Sequence, residues 1–225
     1  MLGNIITRLK RPNSQSLMQA QMHFDNGVRL AAEGHYPNAV MELKLAARAN
    51  PDDADTRVEL GVAYHKTGQL TKAIKAYLAA LEIHPNLVLA YRNLGAAYDE
   101  LGQFVDALKV YTKAIMLAPH DPELRNDLGL VYFNIGSYAE AIKAFKQALE
   151  IDSHNTRAHY CLGLVYLDLG DIQMASEAHD QLKGRNDKHL AFHLLDKIQL
   201  QIRHHELQGK SSAVRENQTN ETGRQ

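Results

Sequence analysis

Twelve histidines and one cysteine are the residues of this 225-residue chain with the widest chemical reach at neutral pH. Imidazole acts as base or metal ligand, and a thiolate acts as nucleophile. His189 and His193 stand four apart, a spacing that on a helix lets two imidazoles share a metal. No glutamate occupies the metalloprotease position between them, no cysteine is near, and no third ligand is evident, so no metal is expected. Cys161 would need a base within hydrogen-bond reach. Its neighbour His159 is two residues away and points elsewhere on a helix, so Cys161 reads as a half-buried, inert thiol. No phosphate-binding loop, GxGxxG or nucleophile elbow occurs. These residues predict no catalytic site and no cofactor, and hence a protein that is not an enzyme.

The bulk composition narrows the class further. Hydrophobic residues make up 45% and charged residues 23%, with 25 Lys plus Arg against 26 Asp plus Glu. That balance argues against a globally basic nucleic-acid binder and against a highly charged disordered chain. One cysteine excludes an intrachain disulfide framework and a thiolate zinc cluster. No apolar run approaches the roughly 20 residues that span a bilayer. The opening MLGNIITRLKRP places its basic residues after a short apolar stretch, the reverse of a secretory signal, and a reducing, cytoplasmic setting is expected.

The elements that must position any working side chain appear as a period. Ten of the 14 glycines fall into two columns, Gly27, Gly61, Gly95, Gly129, Gly163 and Gly34, Gly68, Gly102, Gly136, Gly170. Both columns advance by the same thirty-four positions, as do Ala39, Ala73, Ala107, Ala141 and Ala175. His120 and His154 share that step, as corresponding turn positions with no shared function implied. Self-similarity of this kind marks a solenoid of stacked units. Five repeats begin at Ala20, Ala54, Val88, Pro122 and Thr156.

Each unit reads as two helices. In the third, Tyr91, Leu94, Tyr98 and Leu101 keep helical spacing, and Gly102 ends that helix as a left-handed cap. Phe104, Ala107, Leu108, Tyr111, Ala114 and Ile115 form the apolar stripe of the second helix. Pro119 closes the unit, and Asp121-Pro122 opens the next as N-cap and first-turn proline. The glycine column inside the first helix costs roughly 1 kcal/mol per position relative to Ala. Close approach of the paired helix, with the alanine column opposite, is the expected reason. A lone helix pair leaves apolar surface open, so neighbouring repeats must stack.

These residues resemble the tetratricopeptide repeat family, whose pattern is a bulky residue, Leu-Gly, Tyr, then Ala, an aromatic and Pro at fixed offsets. The third repeat carries Tyr91, Leu94-Gly95, Tyr98, Ala107, Tyr111, Ala114 and Pro119. The second has Leu60-Gly61, Tyr64, Ala73, Tyr77, Ala80 and Pro85; the fourth has Leu128-Gly129, Tyr132, Ala141, Phe145 and Ala148. Departures sit at the ends: Asn26 replaces the leucine of the first repeat, and His179 replaces the aromatic of the fifth. The resemblance implies an all-α fold, a helix-turn-helix repeat solenoid wound as a right-handed superhelix, with a C-terminal capping helix. No specific subfamily is indicated.

In the first helix of each unit the fourth, seventh, eighth and eleventh places are expected to pack inward. The second, fifth, ninth and twelfth follow another face, which in this family lines the concave groove. Twelve of its twenty side chains are apolar or aromatic. The ninth-place Val28, Val62, Leu130 and Leu164 are expected to be mostly buried against the next repeat. Phe24, Val58, Phe133 and Tyr160 are the candidate apolar anchors, with Arg92, Asn93, Asn126 and Arg157 as polar members of the partner-binding groove. Asp25, Glu59 and Asp127 at the sixth place make the groove mildly acidic. A protein or peptide ligand with apolar anchors and some positive charge would suit it. Co-chaperones of this family that grip acidic C-termini use Lys at the fifth place and Asn at the ninth; Phe24 and Val28 stand there. The asparagine ladder of O-linked N-acetylglucosamine transferase is matched only by Asn93.

The expected organisation is a basic leader over 1–19, five repeats over 20–187, a capping helix over 188–206 and a disordered polar tail over 207–225. Leu2, Ile5, Ile6 and Leu9 with Arg8, Lys10 and Arg11 read either as a frayed leader or, through residues 1–11, as a weak peripheral membrane contact. Leu190, Leu194, Leu195, Ile198 and Ile202 form the inner stripe of the capping helix, His189, Asp196, Lys197 and Arg203 its outer face. The alternative is a docking helix for another subunit. The leading function is a non-catalytic scaffold or adaptor. A self-assembling homo-oligomer, with a terminal segment in the next molecule's groove, is the alternative. An RNA-binding helical repeat is the remote alternative, but no nucleic-acid partner is expected, because residues 20–189 hold 17 basic against 22 acidic residues.

Overall fold

Once in every repeat the backbone turns left-handed, at Gly34, Gly68, Gly102, Gly136 and Gly170, with φ between +71° and +81°. Gly102 shows how such a turn stops a helix: its N–H donates to the Asp99 carbonyl at 2.9 Å, and Gln103 N–H donates to the Tyr98 carbonyl at 2.8 Å. Two carbonyls that would otherwise lack partners are satisfied, and the chain reverses into the next helix. The computed structural model describes residues 13–183 and 188–204. All regular structure among them is helical.

The chain divides into two compact units, Met1–Ala118 and Pro119–Gln225. The first holds α1 (Ser14–Ala32), α2 (Tyr36–Ala49), α3 (Ala54–Lys66), α4 (Leu70–Ile83), α5 (Val88–Glu100) and α6 (Phe104–Leu117). The second holds α7 (Pro122–Asn134), α8 (Tyr138–Ile151), α9 (Thr156–Asp168) and α10 (Ile172–Lys183). A final helix, α11, spans residues 188–204. Side chains mark several starts: Asp121 Oδ1 accepts from Glu123 N–H at 2.9 Å with Pro122 in the first turn, and Asn155 Oδ1 accepts from Ala158 N–H at 2.9 Å. Four of the five first helices begin at the residue that opens the repeat.

The first does not. It starts at Ser14, so residues 14–19 belong to α1 rather than to a leader. Asn13 caps it by accepting from Ser16 N–H at 2.8 Å, and Ser16 Oγ donates to the Ala49 carbonyl at 2.7 Å, tying the added turns to the end of α2. Residues 1–12 of the leader, the polar tail and residues 205–206 of the capping helix lie outside the described residues.

Inside each of the first four pairs, the glycine of the first helix meets a large side chain of the second, not the alanine column. A β-carbon on Gly61 would overlap the ring of Tyr77; on Gly95 it would stand 2.6 Å from Tyr111 Cζ, and on Gly129 2.6 Å from Phe145 Cε1. The missing side chain leaves a slot in the helix surface, and the ring fills it. The alanines at 39, 73, 107, 141 and 175 are fully buried and let the second helices pack closely as well. The fifth repeat has His179 where the ring should be, and α11 supplies the filler: Leu194 Cδ2 lies 2.5 Å from where a Gly163 β-carbon would sit. Leu194 and Ile198 are buried with Leu162, Val165 and Leu182 in the core of the second unit.

The inward places also differ from expectation. Fourth- and eleventh-place residues such as Arg57, Tyr98 and Tyr132 are half-buried, whereas in the second to fifth repeats the third and tenth are closed: Thr56 and Ala63, Ala90 and Ala97, Leu124 and Val131, Ala158 and Val165. A first helix packs against its own partner and against the first helix of the adjoining repeat. It is therefore covered along more than one stripe.

The slot generates a stability prediction. Gly129→Ala gains roughly 1 kcal/mol of helix propensity but forces a β-carbon into a buried aromatic ring, a strain of about 1–3 kcal/mol. Urea denaturation should show a net loss. Gly163→Ala meets the flexible end of Leu194 instead and should lose less. Equal losses would refute the rigid-ring account.

Candidate functional site

In the first unit the predicted groove residues separate. Phe24 on α1 is half-buried against a cluster built on Ala39, Leu43 and Ala63. Val58 on α3 is a correction: only 2% exposed, it packs in the core with Ile74 and Tyr77 and offers a partner no surface. Arg92 and Asn93 on α5 are half-buried. Asn93 lines a cavity of about 190 Å³ together with Val62, His65, Lys66, Tyr77 and Glu100. Across it, His65 Nε2 and Glu100 Oε1 meet at 2.7 Å, joining α3 to α5. Burial, and then the charge of Asp55, pushes the Glu59 carboxyl above its ordinary range.

In the second unit the polar candidates are committed to one another. Arg157 on α9 donates to Glu123 Oε2 at 3.0 Å and to Asp127 Oδ1 at 2.8 Å on α7. Burial works against its charge, but Asp127 and Glu123 outweigh that effect and hold the guanidinium above its ordinary pKa. Asn126 is a second correction, with no exposed surface. Its Nδ2 donates to Asn155 Oδ1 at 3.0 Å, and Asn155 Nδ2 donates to Glu123 Oε1 at 2.7 Å. Repeat position alone assigns Asn126 to the groove; the N-cap of α9 draws it into a staple between α7 and α9 instead. The expected acidity is altered too, since Asp127 is buried and neutralised by Arg157, while Asp25 is exposed and Glu59 half-buried in the first unit.

The aromatic members stay partly open. Phe133 at the end of α7 is half-buried with Tyr138 beside it, ring centroids 5.9 Å apart. Tyr160 on α9 is half-buried, its hydroxyl 2.6 Å from His193 Nδ1 on α11. Of the ninth-place residues expected to be buried, Val28 is exposed and Val62, Leu130 and Leu164 are half-buried, which enlarges the apolar surface. Phe192 (72% exposed) and Leu200 (56%) stand out from α11, where the expected outer face was polar.

Sequence reasoning missed the His65–Glu100 and Tyr160–His193 contacts and the Asn155 hub. The Glu123–Arg157 pair was within reach, because residues one repeat apart occupy the same place in adjoining units and face each other. Among the described residues no three His, Cys, Asp or Glu side chains gather as metal ligands would, and no helix is long and apolar enough to cross a membrane.

Cys161 lies buried beside this network. Burial pushes its thiol up to about 11 from an ordinary value of 9.0; Arg157 opposes the rise, and Glu123 and Asp127 add to it. At pH 8 about one thiol in a thousand is then ionised, and iodoacetamide should label native protein far more slowly than urea-unfolded protein. In the unfolded chain the thiol ionises at its ordinary value while the folded one stays protonated. Stability should therefore fall as pH rises from about 9 towards 11, and Cys161→Ala should blunt that fall in a urea-unfolding series. Fast native labelling at pH 8 would contradict the buried, protonated thiol.

Models of the TPR repeat match residues 63–102 and 132–170, and a tetratricopeptide repeat model matches 88–121. No curated protein matches the chain in sequence. Similar solved structures include MamA from Desulfovibrio magneticus RS-1, 23% identical with a TM-score of 0.68, covering 76% of this chain and 97% of that one. TTC0263, a thermophilic TPR protein of Thermus thermophilus, is 24% identical with a TM-score of 0.65, covering 80% and 98%. YrrB, described as a TPR protein with an unusual peptide-binding site, is 22% identical with a TM-score of 0.60, covering 77% and 90%. The regular succession of helix pairs, the glycine slot within them and these matches agree: residues 63–121 and 132–170 are tetratricopeptide repeats, and the chain has the fold of that family.

Proposed function

We propose that the chain is a non-catalytic protein-interaction scaffold that holds a segment of a partner protein against the first-helix faces of its repeats. The observation that carries this reading is the second unit's face: Phe133 and Tyr160 on α7 and α9 stay half open while Arg157, Glu123 and Asp127 satisfy one another. An apolar, aromatic surface whose polar neighbours are already paired loses little on desolvation and gains from burying a partner's side chains. Half-buried Leu130 and Leu164 extend that surface. In the first unit, Phe24 and the acids Asp25 and Glu59 favour a ligand with apolar anchors and some positive charge, as a helix or an extended peptide. YrrB's described peptide-binding site supports the reading by analogy of fold.

A pull-down from native lysate, comparing wild type with a Phe133→Glu, Tyr160→Glu double variant shown by circular dichroism to fold, tests this. Partners held by wild type should be lost from the variant. An unchanged partner set would remove this face from the function.

A second reading is self-assembly, favoured by the exposed Phe192 and Leu200 on α11. Under it, mass measured by light scattering would rise with concentration and return to that of a monomer in Phe192→Lys, Leu200→Lys. A constant monomeric mass would leave the scaffold reading alone.

A further inference from the structure

We propose that the cavity beside Tyr77 in the first unit receives the ammonium group of a lysine side chain carried by a partner segment. This deepens the scaffold reading and rests on it, naming one chemical feature of the partner.

The cavity is a built site. Tyr77 has no exposed surface, and its ring is fixed in the Gly61 slot. Its hydroxyl is nonetheless buried without a hydrogen-bond partner, and Tyr77 forms part of the cavity's lining. A phenol held without a partner at the edge of an open volume is poised to accept or donate a bond. The volume, about 190 Å³, suits one side chain rather than a folded segment. Val62 offers an apolar wall for a methylene stem, and Asn93 and Glu100 offer acceptor oxygens on the α5 side.

Charge selects among possible occupants. Burial first, and then the charges of Glu59 and Glu100, raise the pKa of the Tyr77 hydroxyl. Asp55 in turn acts on Glu59. Among the described residues, the bases in the cavity's lining are His65 and Lys66. His65 faces Glu100 at 2.7 Å, and Lys66 is exposed, its flexible stem free to carry its charge into solvent. A carboxylate or phosphate would enter against two acids, and a neutral amide would leave their field unanswered. An ammonium supplies three donors, to Tyr77 Oη, to the Asn93 amide oxygen and to Glu100, and places a positive charge beside the hydroxyl.

The test is an NMR titration of the full chain with Nα-acetyl-lysine methylamide, with Nα-acetyl-norleucine methylamide as the uncharged control. The lysine probe should give saturable shifts at the backbone amides of Val62, His65 and Asn93, and the norleucine probe should not. Tyr77→Phe removes only the oxygen and keeps the ring in its slot, and should weaken binding by about fivefold or more. Glu59→Gln, which leaves Tyr77 untouched, should weaken it as well and serves if the phenylalanine variant does not fold. Equal shifts from both probes, no saturable shift at these amides, or unchanged affinity in Tyr77→Phe or Glu59→Gln would overturn the assignment. The outcome is separable from the pull-down, which perturbs the second unit. Lysine binding here with no partner lost there would sink the Phe133–Tyr160 face and keep this cavity; the reverse would sink only the cavity.

Discussion

One packing arrangement underlies everything else in this molecule: a large side chain seated in a slot that a glycine opens in the first helix of each pair, supplied by the second helix in the first four pairs. The distances leave no room for a β-carbon, since ring atoms of Tyr77, Tyr111 and Phe145 occupy the place where one would be. Glycine in mid-helix weakens the isolated helix, and the ring restores more than that by bringing two helices into contact closer than two side-chain layers would permit. Leu43 serves Gly27 in the same way. The fifth repeat shows how strict the requirement is. It has lost its aromatic residue, and a helix from outside the repeat series inserts Leu194 into the vacant slot. The final helix thus completes the last pair as well as covering it.

With the helix pairs fixed in this way, the residues left on the first-helix faces are free to diverge, and the two units have used them differently. The second commits its charged and amide groups to one another, so Arg157, Glu123, Asp127, Asn126 and Asn155 act as a staple between α7 and α9, and the open surface that remains is aromatic. The first keeps its acids less committed and leaves a cavity with a bare phenol at Tyr77. The same repeat place carries structure in one setting and an open surface in another. Val58 and Asn126, both at the fifth place, are core residues; Phe24 and Tyr160, also at the fifth place, keep partial exposure.

The helix boundaries, the left-handed turns and the alanine column were legible in the residues, because each depends on local properties: a backbone angle only glycine adopts easily, a cap, a proline, a helical stripe. The repeat period placed four of the five first helices at their observed starts. The partner of the glycine column was not legible. Choosing between the alanine and the ring farther along the second helix requires knowing how the two helices are rotated against each other, and no local pattern contains that rotation.

The candidate site was legible only as a set of places. The repeat put Phe133, Tyr160 and Asn93 on the face that the structure leaves partly open, and put Val58 and Asn126 there as well, where the structure closes them. Sequence by itself determined the fold, since that follows from a period and from residue types whose effects act within a few bonds or one helical turn. Exposure, pairing and charge at each place were decided by tertiary structure. They depend on which side chain from another helix arrives first, as Asn155 does at Asn126, Arg157 at Asp127 and Leu194 at Gly163.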